Sequence, residues 1–222
     1  MQITDYVIYK NNQIIAFNKP GNVAVQEDKT EDKSLNQLAE IYTKGKIFVV
    51  HRIDRPASGV VLFAKTTGAV QDLNEQVRER KTKKTYLAVV KTKPKEDHGT
   101  LVHYLVKNQH TNKTKFFDEP QERAKRAELN YKVIDKSDNY FLLEIELITG
   151  RHHQIRAQLA AIGSPIKGDV KYGARRGNKD RSIHLHAWKM TFKHPVTNVQ
   201  EEVVAPFPKE DPIWQFFAKN KS

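Results

Sequence analysis

Residues 59–64 read Gly-Val-Val-Leu-Phe-Ala, an unbroken apolar run in a chain that is only 38% hydrophobic. A short run of this kind, bounded by turn residues, reads as a strand. Side chains of a strand alternate between the two faces of its sheet, so a strand apolar at every position must be covered on both faces. Residues 60–64 are therefore expected at the centre of a sheet, with other elements packed against it.

The rest of the chain supplies those elements. Residues 6–17 read as a hairpin turning at Asn11-Asn12 and stopped by Lys19-Pro20-Gly21. Residues 34–42 form a helix that Ser34 can cap, with Leu35, Leu38, Ile41 and Tyr42 on one face. Further helices are expected at 66–80, with basic residues at its C-terminal end, at 154–162, stopped by Gly163, and at 212–219. Strands are expected at 47–50, 85–90, 98–107, 123–135, 140–148 and 183–192. No repeat, low-complexity tract or Pro/Gly/Ser linker divides the chain. The expectation is one α+β domain over residues 1–222, built on a central, mostly antiparallel or mixed sheet flanked by helices.

The chain has 222 residues and no cysteine. A domain of this length buries roughly 70% of its unfolded surface, so it needs no covalent staple. The absence of cysteine excludes disulfides, thiol nucleophiles and cysteine-ligated zinc, and it fits a reducing compartment. No stretch approaches the ~20 apolar residues of a membrane span. Met1-Gln2-Ile3-Thr4-Asp5 lacks the regions of a signal peptide. A soluble cytoplasmic protein is expected, monomeric by default and without a membrane partner. The net charge of +12 makes nucleic acid the leading polyanionic partner. The excess is concentrated in segments 75–95 and 165–193, each with eight basic and two acidic residues, in a neutral background. This distribution suits a binding track better than a general solubility device.

Some motifs fail. His51-Arg-Ile-Asp54 has its Asp one residue late for a kinase catalytic loop, and no glycine-rich loop precedes it. Gly163-Ser-Pro-Ile-Lys-Gly168-Asp169 has the glycine spacing of a phosphate loop but Asp where Lys is required. His152-His153 and His184-x-His186 lack accompanying carboxylates, and adjacent histidines on a helix would point about 100° apart.

Three segments carry chemistry. In His51 to Gly59, Asp54 sits close to Arg52 and Arg55 in a loop between apolar strands. Nearby guanidinium groups favour an ionised carboxylate, the form a nucleophile or base needs; the alternative is a surface ion pair. In Lys83-Lys84-Thr85-Tyr86, an aromatic follows a basic run, as in a base-stacking platform beside phosphate contacts, or Tyr86 is a core tyrosine. In Leu147 to Arg156, a strand turns into a helix that Thr149 or Gly150 could cap, exposing N–H groups to an anion. Arg156 borders the apolar face of Ile155 and Leu159 and either has a fixed partner, with Asp54 the candidate, or snorkels to solvent.

Together these segments resemble the RluA-type family of RNA pseudouridine synthases. The resemblance rests on His51-Arg-Ile-Asp54 with Ser58-Gly59 and an apolar strand to Ala64-Lys65, on Lys84-Thr-Tyr-Leu-Ala88, and on Gly150-Arg-x-His153-Gln-Ile-Arg156 continuing to Gly163-Ser-Pro-Ile-Lys-Gly-Asp169-x-x-Tyr172-Gly173. Asn18-Lys19-Pro20 matches an early strand-to-turn signature. It spans about residues 5–205, and four motifs in order make it specific.

The resemblance implies that Asp54 is the catalytic aspartate. It implies that Tyr86 packs on the target base and serves in proton removal, and that Arg156 pairs with the catalytic carboxylate. Arg52 would hold the flipped nucleotide or fill its space, and Ile155 would line the uracil pocket. Arg55, Arg151, His153, Gln154, Lys84 and Lys167 complete the expected substrate-binding set. The resemblance implies no metal or organic cofactor, and ribosomal or transfer RNA as substrate and partner. The sequence departs from the pattern at Ile53, where Leu is commoner, and at Pro56-Ala57, where a more polar pair is usual. The hairpin starts within the first ten residues, so the small RNA-binding domain that precedes many relatives is expected to be absent. The two basic segments are then expected to form two rims of an RNA cleft around Asp54. The competing readings are a non-catalytic RNA-binding or ribosome-assembly protein, which has no use for Asp54, Tyr86 and Arg156 together, and a metal-dependent nuclease, for which the carboxylate cluster is missing.

Overall fold

All seven residues of the strand Ser58–Ala64 are buried, as its apolar sequence demands. The structure, a computed structural model, describes residues 2–28 and 32–220. The chain divides into two compact units, one of residues 1–84 with 186–222 and one of residues 85–185.

In the first unit, β1 (Val7–Lys10) pairs antiparallel with β2 (Ile14–Lys19), and β2 with β4 (Ser58–Ala64), with Ile14 opposite Ala64. The short β3 (Phe48–Val49) also pairs with β4. On its other side β4 runs parallel to β10 (Leu185–Lys193), which carries β11 (Gln200–Val204) antiparallel. The sheet is mixed, and β4 lies inside it. Gly59 enables the parallel pairing. Its φ is +112°, and a Cβ there would lie 2.2 Å from the Ala187 carbonyl oxygen, so only glycine lets the two backbones approach.

Both faces of β4 are covered. Val60 and Leu62 pack with Ile14, Met190 and Phe192 and with Ala69 and Leu73 of α2 (Thr67–Arg78). On the opposite face the Phe17 ring meets Phe63 edge-on at 5.8 Å and Tyr42 of α1 (Leu35–Thr43) at 6.5 Å. Each large side chain buried this way contributes about 1.5–3 kcal/mol. Ser34 and Gln37 form a reciprocal capping box at the start of α1.

His186, fully buried at the start of β10, titrates in a way that shapes stability. Its Nε2 faces the Ala205 carbonyl at 3.4 Å and its Nδ1 lies 2.8 Å from Ser58 Oγ, so a neutral ring donates through Nε2 and accepts from the serine. Phe207 and Trp214 flank the ring. Burial lowers its pKa to about 4. The unfolded chain, with an ordinary histidine near 6.5, binds the extra proton first as pH falls, so the contribution is full above pH 6.5 and is lost as pH drops through 4. We expect about 3 kcal/mol of acid destabilisation from this one group. Urea unfolding at stepped pH should show a shallower loss in His186→Gln; an identical pH slope would refute the assignment.

The second unit is an antiparallel sheet in the order β5 (Lys83–Val90, from Thr85), β9 (Phe141–Leu147), β8 (Lys125–Lys136), β6 (His98–Asn108) and β7 (Lys113–Phe117). The helix α3 (Gln154–Ala161) follows β9. Ala157 of α3 shares a buried cluster with Leu105 of β6 and Ala127 of β8. The terminal helix α4 (Pro212–Lys219) belongs to the first unit and is capped by Asp211.

The α+β class matches the sequence expectation. Strands β7 and β11 go beyond the elements the sequence pattern predicts. Lys-Thr-Lys-Phe-Phe and Gln-Glu-Glu-Val-Val lack apolar alternation and are held by a single neighbour each, so pairing rather than pattern makes them strands. β10 begins at Leu185, two residues later than expected, because the backbone of His184 bonds instead to Val89 and Lys167.

Candidate active site

In the first unit, the loop carrying Asp54 runs between β3 and β4, and Asp54 itself is partly exposed. Its carbonyl accepts from the Ala57 N–H at 3.0 Å, closing a turn. Beneath this turn lies Lys19, fully buried, whose ammonium donates to the carbonyls of Pro20 (2.8 Å), Val23 (2.8 Å) and Arg55 (3.0 Å). One side chain thus ties the turn after β2 to the Asp54–Arg55 turn. Burial lowers the Lys19 pKa to about 7; the Asp54 charge acts in the opposite direction. In the sequence Lys19 stands only as part of a strand-to-turn signature. A lysine inside an apolar strand end is the available signal, since such a group is buried only when well partnered.

The flanking residues differ in role. Arg55 directs Nε to the Asn22 carbonyl and its terminal nitrogens to Asp28 (2.9 Å) and Asp32 (2.7 Å). Arg52 is exposed and donates to Gln26 Oε1 at 3.2 Å. His51 accepts from the Leu62 N–H through Nε2 at 3.3 Å; burial, with Lys84 nearby, keeps its pKa well below the usual range. Lys84 is itself lowered by burial.

In the second unit, Tyr86 lies on β5 opposite Ile145 and is 7% exposed. Ile155, Gln154 and Arg156 are buried on α3. Neither Thr149 nor Gly150 caps that helix. His153 occupies the cap position in the left-handed region (φ 48°), because the Thr149 hydroxyl is otherwise engaged: it accepts from the Glu128 N–H and donates to Gln154 Oε1, each at 2.8 Å. Gln154 also accepts from the Arg151 N–H (3.0 Å) and donates to the Glu128 carbonyl (3.0 Å), so its side chain organises the loop that enters the helix. Arg151 is exposed and donates to the Arg126 carbonyl.

Arg156 has a bidentate partner. Its Nε lies 2.7 Å from one oxygen of Asp169 and its Nη2 2.9 Å from the other, with exposures of 5% and 1%. The sequence nominates Asp54 for Arg156; the carboxylate that grips it within its own unit is Asp169. Such a fork-to-carboxylate pair fixes the plane of the guanidinium. Tyr172 covers it, the Arg156 Cζ standing 5.0 Å from the ring centroid. The Tyr172 hydroxyl accepts from the Thr114 N–H (2.7 Å) and lies 2.9 Å from His153 Nδ1, to which it donates. Burial, and after it the positive charge of Arg156, lowers the His153 pKa to about 2, so the ring is neutral. His152 and His153 do not diverge as helical neighbours would. They precede the helix, and their rings stack at 3.8 Å.

The two basic segments are partly consumed by the fold. In the first, Arg78, Lys81 and Lys93 pair with Glu75, Glu79 and Asp97. In the second, Lys167 donates to Asn178 Oδ1 at 2.8 Å and Lys171 to the carbonyls of Thr111 and Asn112.

Among the described residues no helix is long and apolar enough to cross a membrane. The family model described as RNA pseudouridylate synthase matches residues 13–161. The chain is 33% identical over 213 residues to "Ribosomal large subunit pseudouridine synthase C" of Rickettsia conorii, covering 92% of this chain and 69% of that protein. It is 30% identical over 234 residues to "tRNA pseudouridine synthase C" of Vibrio parahaemolyticus, covering 96% and 94%. The solved structure "Human RNA Pseudouridylate Synthase Domain Containing 4" superposes with a TM-score of 0.79 at 21% identity, covering 98% of this chain and 94% of that one, and so shares the fold. The chain belongs to the RNA pseudouridine synthase family of isomerases.

Proposed function

We propose that this isomerase converts uridine to pseudouridine inside ribosomal or transfer RNA, with Asp54 as its catalytic carboxylate. The observation that carries the assignment is the Asp54 turn, held by the three-way ammonium contact of Lys19 between the ends of buried strands. The family and the relatives named for ribosomal and transfer RNA support the substrate class.

In the reaction the bond between the sugar and ring nitrogen 1 breaks, the uracil turns, and ring carbon 5 bonds to the sugar. Nitrogen 1 ends with a proton, and carbon 5 gives one up. A nucleotide must leave its stack to expose these atoms, at a cost of a few kcal/mol, offset by contacts to the flanking phosphates. Asp54 acts on the sugar, either as nucleophile at the anomeric carbon or as base at its neighbour; carboxylates support the first step in glycoside chemistry. Arg156, oriented by Asp169, favours the ionised carboxylate. Tyr86 stacks on the base and accepts or relays the carbon 5 proton. Ile155 lines the uracil site, and Arg52 holds the extruded nucleotide.

Pseudouridine mapping of cellular RNA with and without the gene tests the function. Sites should vanish from ribosomal or transfer RNA in the deletion and return with the wild-type gene; an unchanged map would reject it. Tyr86→Phe keeps a ring for stacking but removes the hydroxyl, so turnover should fall by about 10²–10⁴, the usual worth of a general acid or base. Wild-type turnover there would confine Tyr86 to packing.

A further inference from the structure

After the chain leaves the Arg156–Asp169–Tyr172 cluster it forms a loop, residues 173–182, that carries Arg175, Arg176, Lys179 and Arg181. All four are exposed, and among the described residues none is in an ion pair. They differ in this from Arg78, Lys81 and Lys93. The loop's single acidic residue, Asp180, is turned back on the backbone, one oxygen accepting from the Ser182 N–H (3.0 Å) and hydroxyl (2.7 Å).

The loop is built around Asn178. Its Oδ1 accepts from the Lys167 ammonium at 2.8 Å, and its Nδ2 reaches Ser182 Oγ at 3.3 Å and His184 Nδ1 at 3.1 Å. Its carbonyl accepts from the Arg181 N–H at 3.0 Å, with Arg181 in the left-handed region at φ 61°. Gly168, at φ +87°, leaves the amide its room: a Cβ there would lie 2.8 Å from Asn178 Nδ2. At its start the loop is fastened by the Ala174 N–H to the carbonyl of Asp169, the residue that grips Arg156.

Four exposed cations on one ten-residue loop, offset by a single carboxylate, repel one another, and a charge meant only for solubility needs no such internal pivot. The cost is recovered when a polyanion replaces their counterions. A preformed frame also reduces the ordering that binding would otherwise require. We propose that residues 173–182 form a preorganised docking surface for RNA backbone phosphates. This rests on the RNA substrate assigned above and names a contact element for it.

The test measures binding of the full-length protein to a fluorescent oligo(U) across a salt titration, with pseudouridine formation by the wild-type protein on total ribosomal and transfer RNA followed in parallel. Replacing Arg175, Arg176, Lys179 and Arg181 together by Gln changes only exposed side chains. It should weaken binding by about tenfold or more and flatten the slope of log affinity against log salt by roughly 3, near 0.7 per single-strand phosphate contact. Asn178→Ala keeps every charge and loosens the frame, so it should weaken binding several-fold while thermal unfolding confirms a folded protein. Affinity within about twofold of wild type in the fourfold variant would overturn the docking surface. Weakening there with unchanged affinity in Asn178→Ala would overturn the preorganisation and leave charge alone. Pseudouridine formed by the wild type while both variants bind normally removes the loop's role and spares the enzyme assignment; no pseudouridine on either RNA removes both.

Discussion

Asp54→Asn should abolish pseudouridine formation and leave a folded protein that still binds RNA. The amide has the volume of the carboxylate, and the turn at this position is closed by the backbone, through the bond from the Ala57 N–H to the Asp54 carbonyl, which the substitution keeps. What disappears is the negative charge, and with it both a nucleophile and a base. Loss of a central catalytic group costs about four to six orders of magnitude in turnover. The variant has one predictable side effect. The Asp54 charge favours the protonated form of buried Lys19, whose pKa is already lowered to about 7, so in the variant Lys19 gives up its proton more readily. The comparison therefore belongs about one unit below that value, where the ammonium still spans its three carbonyls. Mass spectrometric counting of pseudouridine, with far-ultraviolet circular dichroism and an RNA-binding isotherm, reads all three expectations. Turnover within about tenfold of wild type would sink the assignment of Asp54.

What could be read in the sequence depended on whether a residue's neighbours are set by local pattern or by pairing across the chain. Residues 60–64 announced a strand buried on both faces, and Ser34 announced a helix cap, because each signal is complete within a few positions. Gln-Glu-Glu-Val-Val announced nothing, since its strand exists only against β10. The same division runs through the site. The sequence names Asp54, Tyr86 and Arg156 as candidates by type and order. Their supports are not legible in it. Lys19 is 36 positions from the Arg55 carbonyl it holds, and Arg156 is 13 from Asp169. Thr149 was a reasonable cap by residue type, and it failed because its hydroxyl had a longer-range partner in the Glu128 N–H. Arg55 illustrates the opposite hazard. A basic residue beside Asp54 reads as an RNA contact, and in the fold Asp28 and Asp32 hold its guanidinium.

Asp169→Asn should cost both stability and turnover, and the two losses can be separated. The bidentate pair is almost fully buried, and the substitution removes the charge and one acceptor oxygen facing the Arg156 fork. Breaking a buried pair by removing one partner costs about 3–5 kcal/mol, a large share of the roughly 5–15 kcal/mol that holds a domain together. The chemical denaturation midpoint should fall accordingly. Turnover should fall as well, since the guanidinium loses the contact that sets its plane while Tyr172 still covers one side. A purely structural role for the pair predicts a different result in a second variant. Arg156→Met combined with Asp169→Leu replaces two buried charges by apolar groups of similar size, a change that is often neutral or stabilising. We expect this double variant to regain most of the lost stability and none of the activity, because the guanidinium proposed to keep Asp54 ionised is gone. Recovery of turnover along with stability would reduce the Arg156–Asp169 pair to a piece of the fold, and an Asp169→Asn protein with wild-type stability would show that the pair carries little energy at all.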